Sequence, residues 1–228
     1  MKPYYSDDWV TIYHGDTLEV APGLGMVDLV LTDPPFFMPA QHYASRSDWQ
    51  KSWGDTAILG RWWAGVLDVT VPHLRRTGHL MTFCDDESYP VFYPEVYRRF
   101  DTLNALVWDK GAIGMGSPWR HTHELIISAR WSTSKWTGGG GQSDVLRVKT
   151  IQTADRHHPV DKPTELLRLL IGVTTAPGDL VLDPFLGGGS TLVAAKEAGR
   201  KAIGIEIEER YCEVAAQRCS QEVLGLLA

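Results

Sequence analysis

The stretch that decides the fold is "LVLDPFLGGGSTLVAAKEAGRKAIGIE", residues 180–206. It opens on a short apolar run, Leu180–Leu182, and turns through three glycines. A helical pattern then runs from Thr191 to Ala198 and stops at Gly199. A second apolar run, Ala202–Ile205, ends on an acid, Glu206. Strand, glycine turn, helix, strand and terminal acid together make a mononucleotide-binding half of a Rossmann-like sheet. Gly187, Gly188 and Gly189 let the backbone turn sharply and approach a ligand without Cβ clashes. Ser190 and Thr191 open the helix, so its first backbone donors would face the site. Glu206 stands 19 residues beyond Gly187, near the spacing of about 20 for a ribose-binding acid.

Other segments extend the same alternation. Val27–Thr32 reads as a buried parallel strand leading into Asp33, because strands covered on both faces appear as short continuous apolar runs. Further strands are expected at Val10–His14, His79–Cys84, Leu103–Trp108 and Glu124–Ser128. Helical patterns fit Arg61–Val71, Thr164–Thr175 and Glu208–Leu224. Strands alternating with helices indicate a doubly wound α/β sheet. With 228 residues and no internal repeat, one domain spanning residues 1–228 is expected. Residues 131–153 interrupt the alternation with "GGGG" at 138–141, flanked by Trp131 and Trp136. A mobile surface loop and a short substrate-reading insertion are both compatible with that composition.

Composition narrows the class. The chain is 43% hydrophobic and 22% charged, as soluble globular domains are. No apolar run approaches the roughly 18 residues of a membrane span, and the start, "MKPYYSDDWV", lacks a secretory pattern. Three cysteines, Cys84, Cys212 and Cys219, are odd in number and never spaced as CxxC, which argues against a disulfide framework or zinc. The expected location is cytoplasmic, with no membrane partner. Net charge is −6, yet residues 110–156 hold seven Lys/Arg against three acids. Such a basic window on an acidic body can meet phosphates locally.

The glycine loop also discriminates between nucleotides. A dinucleotide site expects a third glycine where Leu192 stands, and a pyrophosphate at the helix start. Here the loop opens on Asp183, which would repel a diphosphate and suit a cation. S-adenosylmethionine fits better, with an adenosine for Glu206, no phosphate, a sulfonium and an α-ammonium. A second corner, "LTDPPFF" at residues 31–37, places Asp33, Pro34, Pro35 and Phe36 behind a strand. Two prolines remove two backbone donors and fix φ twice, leaving a stiff, acceptor-rich bend.

Together these motifs resemble those of the amino-methyltransferases acting on nucleic acids. "DPPF" is similar to their (D/N/S)-P-P-(Y/F/W) catalytic motif, and "DPFLGGGST" to their D-P-F-x-G-x-G loop. "HPVDKP" at residues 158–163 resembles their H-P-x-x-K-P segment, with Val160–Asp161 where Thr-Gln is commoner. "HGDTLEV" at residues 14–20 is similar to their N-terminal G-D segment, and "LRRTGHLMTF" to the strand after the catalytic loop. Catalytic motif first and cofactor loop near the C-terminus is the order of the permuted β group. In that group the recognition segment precedes H-P-x-x-K-P, which is where residues 131–153 lie.

The resemblance implies a Rossmann-like methyltransferase that uses S-adenosylmethionine on double-stranded DNA. Its catalytic residues would be Asp33, Pro34, Pro35 and Phe36. Asp16 would contact the cofactor adenine, Glu206 the ribose, and Lys162 the methionine carboxylate. Asp33 and Asp183 would lie near the ammonium, with His158, Phe185, Gly187, Gly189, Ser190 and Thr191 completing the cofactor site. An exocyclic amine is a poor nucleophile because its lone pair is conjugated into the ring. Acceptors on Asp33 and the Pro34 carbonyl would grip its N–H bonds and free that pair. Phe36 would stack the base once it has left the duplex. No metal is expected: His157 and His158 lack a nearby third ligand. Carbon-5 methylation is excluded for want of a Pro-Cys nucleophile.

In the family, Asp-Pro-Pro leans towards adenine N6 and Ser-Pro-Pro towards cytosine N4, so adenine is favoured. Cytosine N4, or an RNA, protein-amide or small-molecule amine, is the alternative acceptor. A binding module without catalysis is disfavoured by the intact motifs. Trp62 and Trp63 are expected to pack a helix. The loop from Met38 to Gly60, with Trp49 and Trp53, is a candidate cover for a flipped base. A homodimer and a partner nuclease are left open.

Overall fold

The computed structural model describes residues 2–36, 55–114, 118–139, 141–151 and 161–221. Its strands are β1 (Tyr5–Ser6), β2 (Val10–His14), β3 (Val27–Thr32), β4 (Leu74–Cys84), β5 (Thr102–Asp109), β6 (His123–Arg130), β7 (Val145–Arg147), β8 (Leu180–Asp183) and β9 (Lys201–Glu206). The helices are α1 (Thr17–Val20), α2 (Thr56–Thr70), α3 (Tyr89–Tyr97), α4 (Thr164–Thr174), α5 (Ser190–Glu197) and α6 (Glu209–Ser220). Among the described residues one sheet forms, in the order β1-β2-β9-β8-β3-β4-β6-β5-β7.

Strands β2, β9, β8, β3 and β4 run parallel, while β6 is antiparallel to both β4 and β5. From β8 the chain moves through α5 to β9 on one side. From β3 it moves through α2 to β4 on the other. The winding direction therefore reverses between β8 and β3, and ligands of doubly wound sheets bind outside the strand ends at such a point.

The alternation of side chains along β3 builds two cores. Leu29 and Leu31 face α4, α5 and α6, together with Val181 of β8. Val30 faces α1, α2 and α3, together with Leu182 and Ile205. Neighbouring residues of a strand point to opposite faces, so a strand covered on both must be apolar at every position. Each fully buried Leu contributes roughly 1.5–3 kcal/mol.

Most expected elements fall where they were read. Asp55 caps α2, its Oδ1 accepting the Ala57 and Ile58 N–H groups at 2.7 and 3.2 Å, so the helix begins at Thr56 rather than Arg61. β1, β7 and α1 are too short to show a period, and α3 is masked in the sequence by Pro90 and Pro94. No described helix is long and apolar enough to cross a membrane.

The segment after β6 is anchored rather than loose over residues 131–139. The Trp131 indole N–H donates to the Arg99 carbonyl at 2.9 Å, and the Thr137 hydroxyl to the Thr175 carbonyl at 2.8 Å. A Cβ on Gly138 would come within 2.7 Å of Val173 Cα, so this glycine allows the chain to lie against the end of α4. The chain then returns as β7, parallel to β5.

Candidate active site

Strands β2, β9, β8 and β3 end side by side, and His14 lies in register with Glu206, Asp183 with Gly204. Asp16, Glu206, Asp183 and Asp33 thus reach one edge from four neighbouring strands. The Thr17 hydroxyl donates to the Pro184 carbonyl, and the Gly15 N–H to the Glu206 carbonyl at 2.9 Å, fastening the N-terminal turn to the glycine loop. Asp16 itself caps α1, accepting the Leu18 N–H at 2.8 Å.

A cleft between β8 and β3 is lined by Asp33, Lys162, Asp183, Phe185, Gly187 and Thr191, among others. Asp183 is 2% exposed. Burial pushes its carboxyl up to about 7 despite hydrogen bonds from the Thr191 hydroxyl and the Phe185 N–H, and the nearby Asp33 adds to the rise. An acid held so reluctantly as an anion suits a site that receives a cation.

The glycine turn has local reasons for its composition. Gly187 and Gly189 have φ of 52° and 87°, in the left-handed region. A Cβ on Gly189 would lie 2.8 Å from that of Ala215, so this glycine also admits α6. Glu206 accepts the Gly187 N–H on Oε2 and the Glu208 N–H on Oε1, both at 2.8 Å. Burial holds its carboxyl above the ordinary range. Each oxygen keeps a second lone pair, so a hydroxyl ligand can still be accepted. Phe185 packs on Trp62, with ring centroids 5.3 Å apart.

At the proline corner, Asp33 Oδ2 accepts from the Lys162 ammonium. Lys162 also lies 3.2 Å from Glu124 Oε2, and Glu124 Oε1 lies 2.6 Å from Lys110 Nζ. Anion and cation therefore alternate inward from Lys110 to Asp33. Burial alone would pull Lys162 down, but Asp33 and Glu124 outweigh it and hold the ammonium charged. Burial raises Glu124 as well, yet Lys162 and Lys110 leave it below its usual value. Asp33 stays above the ordinary range because of burial, with Glu124 adding to the rise and Lys162 opposing it. Its other oxygen, Oδ1, is buried and has no hydrogen-bond partner among the described residues. Phe36 is partly buried, its ring 5.5 Å from Lys162 Nζ.

The expected residues Asp33, Lys162, Asp183, Phe185, Gly187, Ser190 and Thr191 share this cleft, with Asp16 and Glu206 on adjoining strand ends. Lys162, expected opposite a cofactor carboxylate, is held by Asp33 and Glu124. The additional acid at Asp161 is buried, 3.3 Å from the Ser190 hydroxyl and 3.7 Å from the Arg218 guanidinium, which offsets its charge. His157, His158, Trp49, Trp53 and most of the loop from Met38 lie outside the described residues. Sequence reasoning missed Glu124, Arg218 and Trp62 as neighbours of the site. Glu124 carried one signal, an acid opening the buried run "ELIIS" at residues 124–128.

Comparison with known proteins agrees with this architecture. A DNA methylase family model matches residues 126–217. The Type II methyltransferase M2.DpnII of Streptococcus pneumoniae is 28% identical, covering 97% of this chain and 93% of its own length. The crystal structure of the M1.HpyAVI–SAM complex aligns with a TM-score of 0.71 at 24% identity, over 92% of this chain and 100% of that one. PvuII DNA methyltransferase (cytosine-N4-specific) aligns with a TM-score of 0.77 at 18% identity, over 98% and 91%. Motif order, similarity along nearly the whole chain and fold agree: the chain matches the DNA methylase family model over residues 126–217 and is similar to a Type II methyltransferase over 97% of its length.

Proposed function

We propose that this DNA methyltransferase uses S-adenosylmethionine to methylate the exocyclic N6 amine of a flipped adenine, with Asp33 as the acceptor that activates the amine. The observation that carries the reading is the division of labour within one carboxylate. Asp33 Oδ2 is anchored by Lys162, and Oδ1 is buried, unpartnered among the described residues and set on a two-proline bend. A desolvated acceptor without a partner is costly unless a donor arrives, and an amine N–H is such a donor. Accepting that hydrogen bond draws the nitrogen towards pyramidal geometry and frees its lone pair. The proton the nitrogen must lose then has a carboxylate of raised pKa beside it. Bound S-adenosylmethionine would supply the electrophilic methyl and depart as a neutral thioether.

The residues fit that cofactor. Asp183 offers a buried acid to an ammonium, Glu206 keeps free lone pairs for ribose hydroxyls, and Phe185 presents a ring. Asp-Pro-Pro at residues 33–35 supports adenine over cytosine; the cytosine N4 amine poses the same lone-pair problem and is the second reading. Residues 141–151, which return along β5 to the catalytic edge, are the part of the 131–153 segment best placed to read DNA.

Transfer of a labelled methyl group to double-stranded DNA, followed by nucleoside analysis, tests this. N6-methyladenine is expected, and Asp33→Ala should lose activity by ~10²–10⁴-fold. N4-methylcytosine as the sole product would defeat the adenine assignment, and undiminished activity of the variant would remove Asp33 from the chemistry.

A further inference from the structure

We infer that Glu124 is a positioning residue of the transfer reaction: it gives Lys162 a second carboxylate partner besides Asp33, so that Lys162 anchors Oδ2 and leaves Oδ1 for the acceptor amine. The inference deepens the methyltransferase reading and rests on it.

Lys162 is 7% exposed and has two carboxylates within reach, Asp33 through Oδ2 and Glu124 at 3.2 Å. A buried ammonium with one carboxylate partner would collapse onto it and engage both oxygens as the side chain permits. With a second carboxylate at 3.2 Å, the ammonium is shared between two anions, and Asp33 Oδ1 has no partner among the described residues. Glu124 is in turn fixed by Lys110 at 2.6 Å, and its backbone pairs with Trp108 across β5 and β6. The hairpin edge of the sheet is thereby coupled to the proline corner through three side chains rather than through the backbone.

Charge points the same way. The titratable groups around Asp33 are Lys162, Lys110, Glu124, Asp183 and Cys84, with Asp85 beside Glu124. Burial raises Asp33 first, and Glu124 adds to that rise against the pull of Lys162. Glu124 thus keeps Asp33 a better proton acceptor than an Asp–Lys pair alone would be, and general-base efficiency follows that basicity.

The test uses the full chain as wild type, Glu124→Gln and Glu124→Asp, with Asp33→Asn as reference. Carboxyl-carbon NMR titration of Asp33 needs neither DNA nor cofactor. In Glu124→Gln the Asp33 pKa is expected to fall, because a neighbouring anion has been removed. Methyl transfer at saturating DNA should drop in kcat on the order of 10²-fold, the cost of a misplaced group, with KM for DNA within about twofold. The acid limb of its pH profile should move to lower pH. Glu124→Asp should recover part of the rate and of the pKa. An Asp33 pKa that stays or rises in Glu124→Gln overturns the inference, as does a KM-only defect. If wild type titrates as expected yet modifies no DNA, the acceptor assignment fails while the role of Glu124 at Asp33 stands.

Discussion

At the scale of single residues, the cleft is a set of acids handled in three ways. Asp33 is paired through one oxygen, Glu206 accepts one backbone N–H on each oxygen, and burial pushes Asp183 up to about 7. The last has a consequence for stability. Its folded pKa of about 7 lies above the ordinary value, so the folded chain holds the proton more tightly than the unfolded one. That contribution is complete below about pH 4 and is lost as pH rises through the folded value. Asp183→Asn should therefore flatten the decline in Tm from about pH 5 to about pH 8. A decline as steep as in wild type would mean that Asp183 ionises like an exposed acid. Carrying the opposite sign, affinity for a cationic ligand should increase over the same range, since the anion is what binds it.

At the scale of elements, the glycine turn joins β8 to α5 and sets how closely α6 can pack. Gly189 is constrained twice, by its φ of 87° and by Ala215, whose Cβ would stand 2.8 Å from any Cβ added there. Gly199 shares a positive φ of 71° but has open space around it. Gly199→Ala should cost about 1 kcal/mol from backbone strain alone. Gly189→Ala should cost roughly 2–4 kcal/mol, since overpacking is added to strain. Chemical denaturation of the two variants checks the difference; equal losses would show that α6 moves aside freely. The strand at Glu124–Ser128 was legible as an apolar run, but the antiparallel direction of β6 was not, because β5 reaches it without an intervening helix. That direction is what brings Glu124 beside Lys162.

For the whole molecule, topology sorts the basic window. Lys110, Arg147 and Lys149 lie at the end of the sheet where the parallel strands finish, with Arg147 in register with Asp109. Arg130 and Lys135 sit at the opposite end, near Trp136 and Thr77. Only the first group is placed beside the cleft. Neutralising Arg147 and Lys149 together should weaken DNA binding and reduce the slope of log K against log salt by about 0.9 for each lost phosphate contact. The same change at Arg130 and Lys135 should leave the slope alone. Equal effects from both pairs would mean that DNA wraps the sheet rather than meeting one edge.

The sequence by itself determined the doubly wound sheet and most of the residues in the cleft. Strands buried on both faces must be apolar throughout, and a left-handed turn before a helix demands glycine, so both signals are local and survive without coordinates. Asp33, Asp183 and Glu206 were legible because each ends such a strand. Only the tertiary structure decided what those residues touch. Whether Lys162 meets a ligand or Asp33, whether Gly189 serves a ligand or Ala215, and whether Glu124 belongs to the site at all depend on side chains far apart in the chain. Pairing between distant charges leaves no periodicity in a sequence, because it is set by which strands become neighbours.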